Sequence, residues 1–152
     1  MRNDSQRPRH KATDDVGRAF GALSRVNPIK VASVVYLATG LAQVLIVPIT
    51  LDHIARYREH PLVFPGVRGL AGPFDALGID AVVTLGWLFV ALGAGELLVA
   101  ALLWRSRKLG GLLASVLFLP GLLFWIGFLL PAWLVVGPIR MALVARGWRT
   151  LR

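Results

Sequence analysis

The chain has 152 residues, 56% of them hydrophobic and 16% charged, with a mean hydropathy of +0.66, and a soluble domain of this size has too little interior to hide so much apolar side chain. The net charge of +9 would suit a nucleic-acid binder, but the basic residues alternate with apolar runs instead of gathering on one face, which is the pattern of membrane topology. The absence of cysteine excludes disulfides, thiol redox chemistry and thiolate metal sites.

Residues 1–27 are polar, include Pro8, Gly17 and Asn27-Pro28, and hold no apolar run of spanning length. They read as a flexible basic cytoplasmic tail in which Val16 to Val26 can form a short surface helix. The apolar run that follows is long enough to stay in a membrane, and no small-residue cleavage motif marks a secretory signal.

The first expected span covers 29–51. Tyr36, Thr39 and Gln43 recur at spacings of three and four, so they share a face that can point inward. Thr39 can also bond its own helix backbone, and Gln43 can make an interhelical hydrogen bond or line a polar cavity. Asp52 and His53 are expected just beyond the outer end of this helix, with His60 further on. One Asp and two His suggest a metal, but their spacing is not compact and no fourth ligand is visible, so a solvated helix end is expected and no metal site is assigned.

Residues 52–78 form the one long connection, expected on the external side. Pro61, Pro65, Gly66, Gly69, Gly72 and Pro73 oppose a continuous helix, while Leu62, Val63, Phe64, Leu70 and Phe74 suit a segment that lies along the membrane or caps the helices. The glycines at 66, 69 and 72 follow no strand pattern and read as turns rather than as a nucleotide-binding loop. Asp80 is placed to cap the next helix or to sit in its first turn.

The second expected span, 79–104, contains the apolar stretch Ala81 to Trp104, and Glu96 within it is the one acid in any such stretch long enough to cross a bilayer. A lone carboxylate there must be protonated, paired or open to water. Gly86, Ala91, Gly93, Ala94, Gly95 and Ala100 surround it with small residues suited to close helix packing, or to leaving room for a ligand. Arg105, Arg107 and Lys108 then mark an inner boundary.

The apolar region 109–145 would extend about 55 Å as one helix, against a hydrocarbon core of about 30 Å. A turn is expected near Gly127 to Pro131, dividing it into spans at 109–126 and 129–146, with Trp125 and Trp133 both near one interface and with kinks at Pro120 and Pro138. The rival arrangement makes the third segment re-entrant, leaves three spans and puts the C-terminus outside. Residues 147–152 read as a basic cytoplasmic tail. Four spans place 14 of the 17 basic residues on the cytoplasmic side and leave only Arg56, Arg58 and Arg68 outside.

Arg140 lies six residues before Arg146, about 9 Å inward, and Glu96 lies nine residues before Arg105, about 13 Å inward. The comparable depths suggest an ion pair between the second and fourth helices. The alternatives are an Arg140 that snorkels to the inner interface and a Glu96 that is protonated, makes an assembly contact or handles protons or a ligand.

Phe74-Asp75-Ala76-Leu77-Gly78 ahead of a span, Gly95-Glu96-Leu97-Leu98 within it, the basic turn Arg105 to Lys108, and Gly110-Gly111 opening the next span together resemble the DoxX-like small four-helix membrane proteins over residues 28 to 130. That resemblance implies a functional role for Glu96 and an association with quinone-linked redox complexes or membrane stress responses.

The sequence therefore leads to an all-α integral membrane four-helix bundle, multi-pass in the cell membrane, with both termini cytoplasmic. No repeat, hydrolase motif or reaction constellation is present, which favours a non-enzymatic accessory or scaffold subunit. The expected partners are the bilayer and either a membrane protein or a second copy of the chain, without nucleic acid. The alternative is a small transporter or a quinone- or lipid-binding module built on Glu96; no cofactor is implied, though a quinone or lipid is compatible.

Overall fold

A computed structural model describes residues 27–65 and 67–152. The expected N-terminal tail and its short surface helix lie outside the described residues, apart from Asn27. Four α-helices account for most of the remainder: α1 (Pro28–Tyr57), α2 (Ile79–Trp104), α3 (Lys108–Gly127) and α4 (Pro131–Gly147). Of these, α1, α2 and α3 are long and apolar enough to cross a membrane. At 17 residues, α4 is about 25 Å long and falls short of the hydrocarbon thickness.

Asn27 starts α1 by accepting a hydrogen bond on its side-chain oxygen from the Ile29 backbone N–H at 3.0 Å, and Pro28 occupies the first helical position, where its missing N–H costs nothing. The helix runs two turns past the expected end at Leu51, so Asp52 and His53 lie within it. An i,i+4 pair between Asp52 and Arg56 and the stacking of His53 on Tyr57 supply local support there. Arg58 ends it in the left-handed conformation, with its N–H on the Ile54 carbonyl.

The connection from α1 to α2 is ordered. A short antiparallel hairpin, β1 (Leu62–Phe64) with β2 (Val67–Arg68), is followed by a 3₁₀ turn at Pro73–Leu77. Leu70 is buried, and Phe74 packs edge-on against Phe128 at 5.0 Å, so this segment caps the end of α3. His60 ties the cap together, with one ring nitrogen 3.2 Å from Asp75 and the other 3.0 Å from the Gly69 carbonyl. Arg58 bonds Asp80 in the first turn of α2 at 2.5 Å.

The third segment is one unbroken helix rather than a broken hairpin, and it continues through Pro120. It meets α4 across Phe128–Leu130, where Leu129 takes a positive φ. The matching turn between α2 and α3 uses Ser106 in the same way. Residues 147–152, read from sequence as a basic tail, are docked on the bundle. Trp148–Thr150 form a 3₁₀ turn, Leu151 is buried, and Arg152 exchanges backbone hydrogen bonds with Ser106 and Lys108, which anchors the chain end to the α2–α3 turn. Burying Leu151 is the physical reason, since a purely polar tail would have no such anchor.

Two apolar clusters fill the interior. One gathers Val47, Leu51, Val82, Phe89, Phe124 and Phe128 with their neighbours near the cap. The other gathers Ile29, Tyr36, Val99, Leu103, Ala114 and Val144 at the opposite end. Leucine, valine and isoleucine side chains such as Leu45, Ile49, Val116, Leu119 and Leu123 remain exposed around the outside, the arrangement expected of a chain whose solvent is lipid.

Candidate functional site, a sealed ion pair between the two cores

Along α1 the cap-side cluster begins at Val47 and the other ends at Tyr36; along α2 the corresponding limits are Leu92 and Val99. Thr39, Glu96 and Arg140 occupy the layer between them. Glu96 and Arg140 are 1% and 2% exposed, so neither is solvated and neither snorkels.

The guanidinium takes the carboxylate in two parallel hydrogen bonds. One terminal nitrogen of Arg140 donates to Glu96 Oε2 at 2.7 Å and the other to Oε1 at 2.5 Å. Thr39 Oγ1 stands 2.6 Å from Glu96 Oε2 and accepts from Arg140 at 2.9 Å. Its backbone acceptors are alternatives, the carbonyls of Val35 at 3.1 Å and Tyr36 at 3.3 Å. A planar fork matched to a carboxylate is the geometry in which a buried ion pair best offsets its desolvation.

Aromatic rings close the remaining sides. The Arg140 guanidinium carbon lies 4.3 Å from the centre of the Tyr36 ring and 5.0 Å from that of Trp125. Both are within cation–π range, and the interaction gains strength where water is excluded. Trp125 is completely buried among the helices. It leans back along the helix because side chains tilt toward the helix N-terminus, and it fits because Gly137 on α4 has no Cβ where the indole lies.

The sequence-level candidates therefore separate. Tyr36, Thr39, Glu96 and Arg140 converge from α1, α2 and α4. Gln43 is buried one turn beyond Thr39, pressed against Gly93 with neither amide atom hydrogen-bonded. Of the candidates at the end of α1 and in the loop beyond it, His53 and His60 line one pocket with Glu59 and Arg68, while Asp52 does not join them. Each has its own local partner, and no group of three metal-ligating side chains occurs among the described residues. Trp125 is the member that sequence reasoning did not bring into the site, and the small residue twelve positions later was the available clue.

The glycines around Glu96 are consumed by internal packing, while Ala91 and Ala94 face outward. A Cβ on Gly93 would lie 2.6 Å from Gln43 Cβ, and one on Gly40 would lie 2.9 Å from the Gly93 carbonyl oxygen, so α1 and α2 approach through these two glycines. Gly86 packs against Leu51 and Gly95 against Leu117. At the end of the bundle away from the cap, Ser33 donates to the Ala100 carbonyl at 2.7 Å, and Lys30 lies over the Trp104 ring at 4.3 Å while donating to the Trp104 carbonyl.

No family model, curated protein or solved structure matches this chain. The functional reading therefore rests on the geometry.

Proposed function

We propose that the chain is a non-enzymatic, four-span protein of the cell membrane, with both termini cytoplasmic, acting as an accessory or scaffold subunit within a larger or self-associated assembly. The observation that carries this reading is the sealed Glu96–Arg140 pair. Both carboxylate oxygens face the guanidinium, one of them also faces Thr39, and the group is 1% exposed. A carboxylate so engaged has no free face for a substrate and no water path for a proton, which argues against the transporter reading built on Glu96.

The inventory of polar groups supports the same conclusion. Next to this layer the membrane-spanning helices offer hydroxyls bonded to backbone, as in Thr50, Thr84 and Ser115 on their own helices and Ser33 on the Ala100 carbonyl, and the neutral amide of Gln43, none of which is an acid or a base. The DoxX-like resemblance is compatible with a role inside a membrane complex. In the four-span topology, the short α4 is accommodated by local bilayer thinning and by the flanking Arg146, Arg149 and Arg152 reaching the inner headgroups.

Extraction in a gentle detergent followed by native mass spectrometry tests the proposal. A stoichiometric partner or a defined homo-oligomer is expected; consistent recovery as a partner-free monomer contradicts it.

A further inference from the structure

Beside the sealed pair, a cavity of about 350 Å³ lies between the outer half of α1, the start of α4 and the Gly69–Leu70 cap. Its wall is apolar, with Ile46, Val47, Leu70, Phe89 and Leu130, and no charged residue lines it. Two of its lining residues, Gln43 and Trp133, carry buried polar atoms without a hydrogen-bond partner: both amide atoms of Gln43 and the indole Nε1 of Trp133. A third, Thr50, is already bonded to the Ile46 carbonyl. Gln43 Oε1 is turned toward Gly93 on α2, but the two unpartnered donors, the Gln43 amide nitrogen and the Trp133 indole nitrogen, belong to residues of one apolar cavity, and buried donors call for an acceptor.

We infer that this cavity holds a membrane glycerolipid by one acyl ester, with the ester carbonyl accepting from the Gln43 amide and the Trp133 indole and the chain lying against the apolar wall. The chemistry selects the ligand. The amide and indole N–H groups need an acceptor, the uncharged wall rejects an anion, and a hydrocarbon without oxygen would leave the donors unmet. Access is lateral, because Ile46 at the rim is 59% exposed on the lipid-facing side of α1.

Depth agrees. Gln43 lies 15 residues into α1, about 22 Å from Pro28 in a core of about 30 Å, and Trp133 is the third residue of α4. Both therefore sit in the leaflet beneath the cap, Gln43 about 8 Å below the edge of the hydrocarbon where acyl esters enter it and Trp133 nearer that edge. The inference rests on the membrane-spanning part of the proposed function and not on its scaffold part.

The test uses the full chain in phosphatidylcholine nanodiscs doped with one of two diazirine-bearing phosphatidylcholines, ester-linked or ether-linked, with cross-links mapped by mass spectrometry. The ester probe is expected to label residues 42–50 and 130–133 about tenfold more than the ether probe, while both label the exposed α3 face at Val116, Leu119 and Leu123 equally. A tenfold preference corresponds to about 1.4 kcal/mol. In Gln43→Leu or Trp133→Phe, whichever remains monodisperse, the ester preference is expected to vanish with α3 labelling unchanged. Equal ester and ether labelling at the cavity, or a preference that survives substitution, overturns the inference. Absence of labelling on every helix overturns the membrane reading itself.

Discussion

Arg140 on α4 and Glu96 on α2 meet through two hydrogen bonds of 2.7 and 2.5 Å in the layer that separates the two apolar clusters. Thr39 brings α1 to the same point, at 2.6 Å from the carboxylate and 2.9 Å from the guanidinium. Ser33 and Lys30 bond α1 to α2 alone, whereas this contact joins three helices at one point and admits a single register. In lipid, where apolar side chains gain little by leaving the solvent, such a polar contact fixes which helix faces meet. A pair of this kind specifies an arrangement more than it adds net stability.

The aromatic enclosure makes the first prediction. Tyr36→Phe keeps the ring face under the guanidinium and loses only the weak 3.5 Å contact of the hydroxyl with Met141 sulfur, so its stability in detergent should stay within about 0.5 kcal/mol of the native value. Tyr36→Leu removes the ring and should cost about 2 kcal/mol or more, the scale of a desolvated cation–π contact plus lost packing. Reversible unfolding in mixed micelles distinguishes the two; equal losses would mean that the ring face contributes nothing.

Close approach of α1 and α2 gives the second. Gly93→Ala places a methyl 2.6 Å from Gln43 Cβ, an atom held by the backbone, so the helices must separate. A cost of about 1–3 kcal/mol is expected, together with a lower unfolding midpoint. Ala94→Gly, one position along on an exposed part of the same helix, should cost no more than the intrinsic helix propensity of about 1 kcal/mol. Similar losses at both sites would deny the packing role of Gly93.

Topology is open to a direct measurement because the chain has no cysteine. In intact cells, a single cysteine at Leu77, 62% exposed in the cap, should react with a membrane-impermeant maleimide. One at Arg107, in the α2–α3 turn, should react only after permeabilisation. The reverse pattern would invert the proposed orientation, and reaction of both in intact cells would remove the cap and that turn from opposite sides of the membrane.

Much of this arrangement was legible in the residues, for identifiable reasons. The helix class follows from apolar runs that exceed a bilayer in length, and the Glu96–Arg140 pair follows from counting depth from charged boundaries, because an intramembrane charge leaves few partners to consider. What was not legible depended on contacts remote in sequence. The extension of α1 through Tyr57 is supported by Arg58 reaching Asp80, and the docking of the C-terminus by Leu151 finding an apolar seat. The seat of the Trp125 ring in the space left by Gly137 depends on a helix that follows a turn, so position along α3 alone does not reveal it. The ordered cap illustrates the same point, since Pro and Gly signals predict the absence of a helix but not the His60–Asp75 link that organises what replaces it.

The central claim is that Glu96 and Arg140 act as one architectural unit, and a double-mutant cycle of Glu96→Leu, Arg140→Met and their combination tests it most directly. Reversible unfolding in bicelles should show each single substitution costing about 3–5 kcal/mol, because it strands a buried charge or its donors. The double variant should recover most of that loss, with a coupling of about 2 kcal/mol or more. Additive losses would contradict the account, since two residues whose energies simply sum are not the matched pair on which it rests.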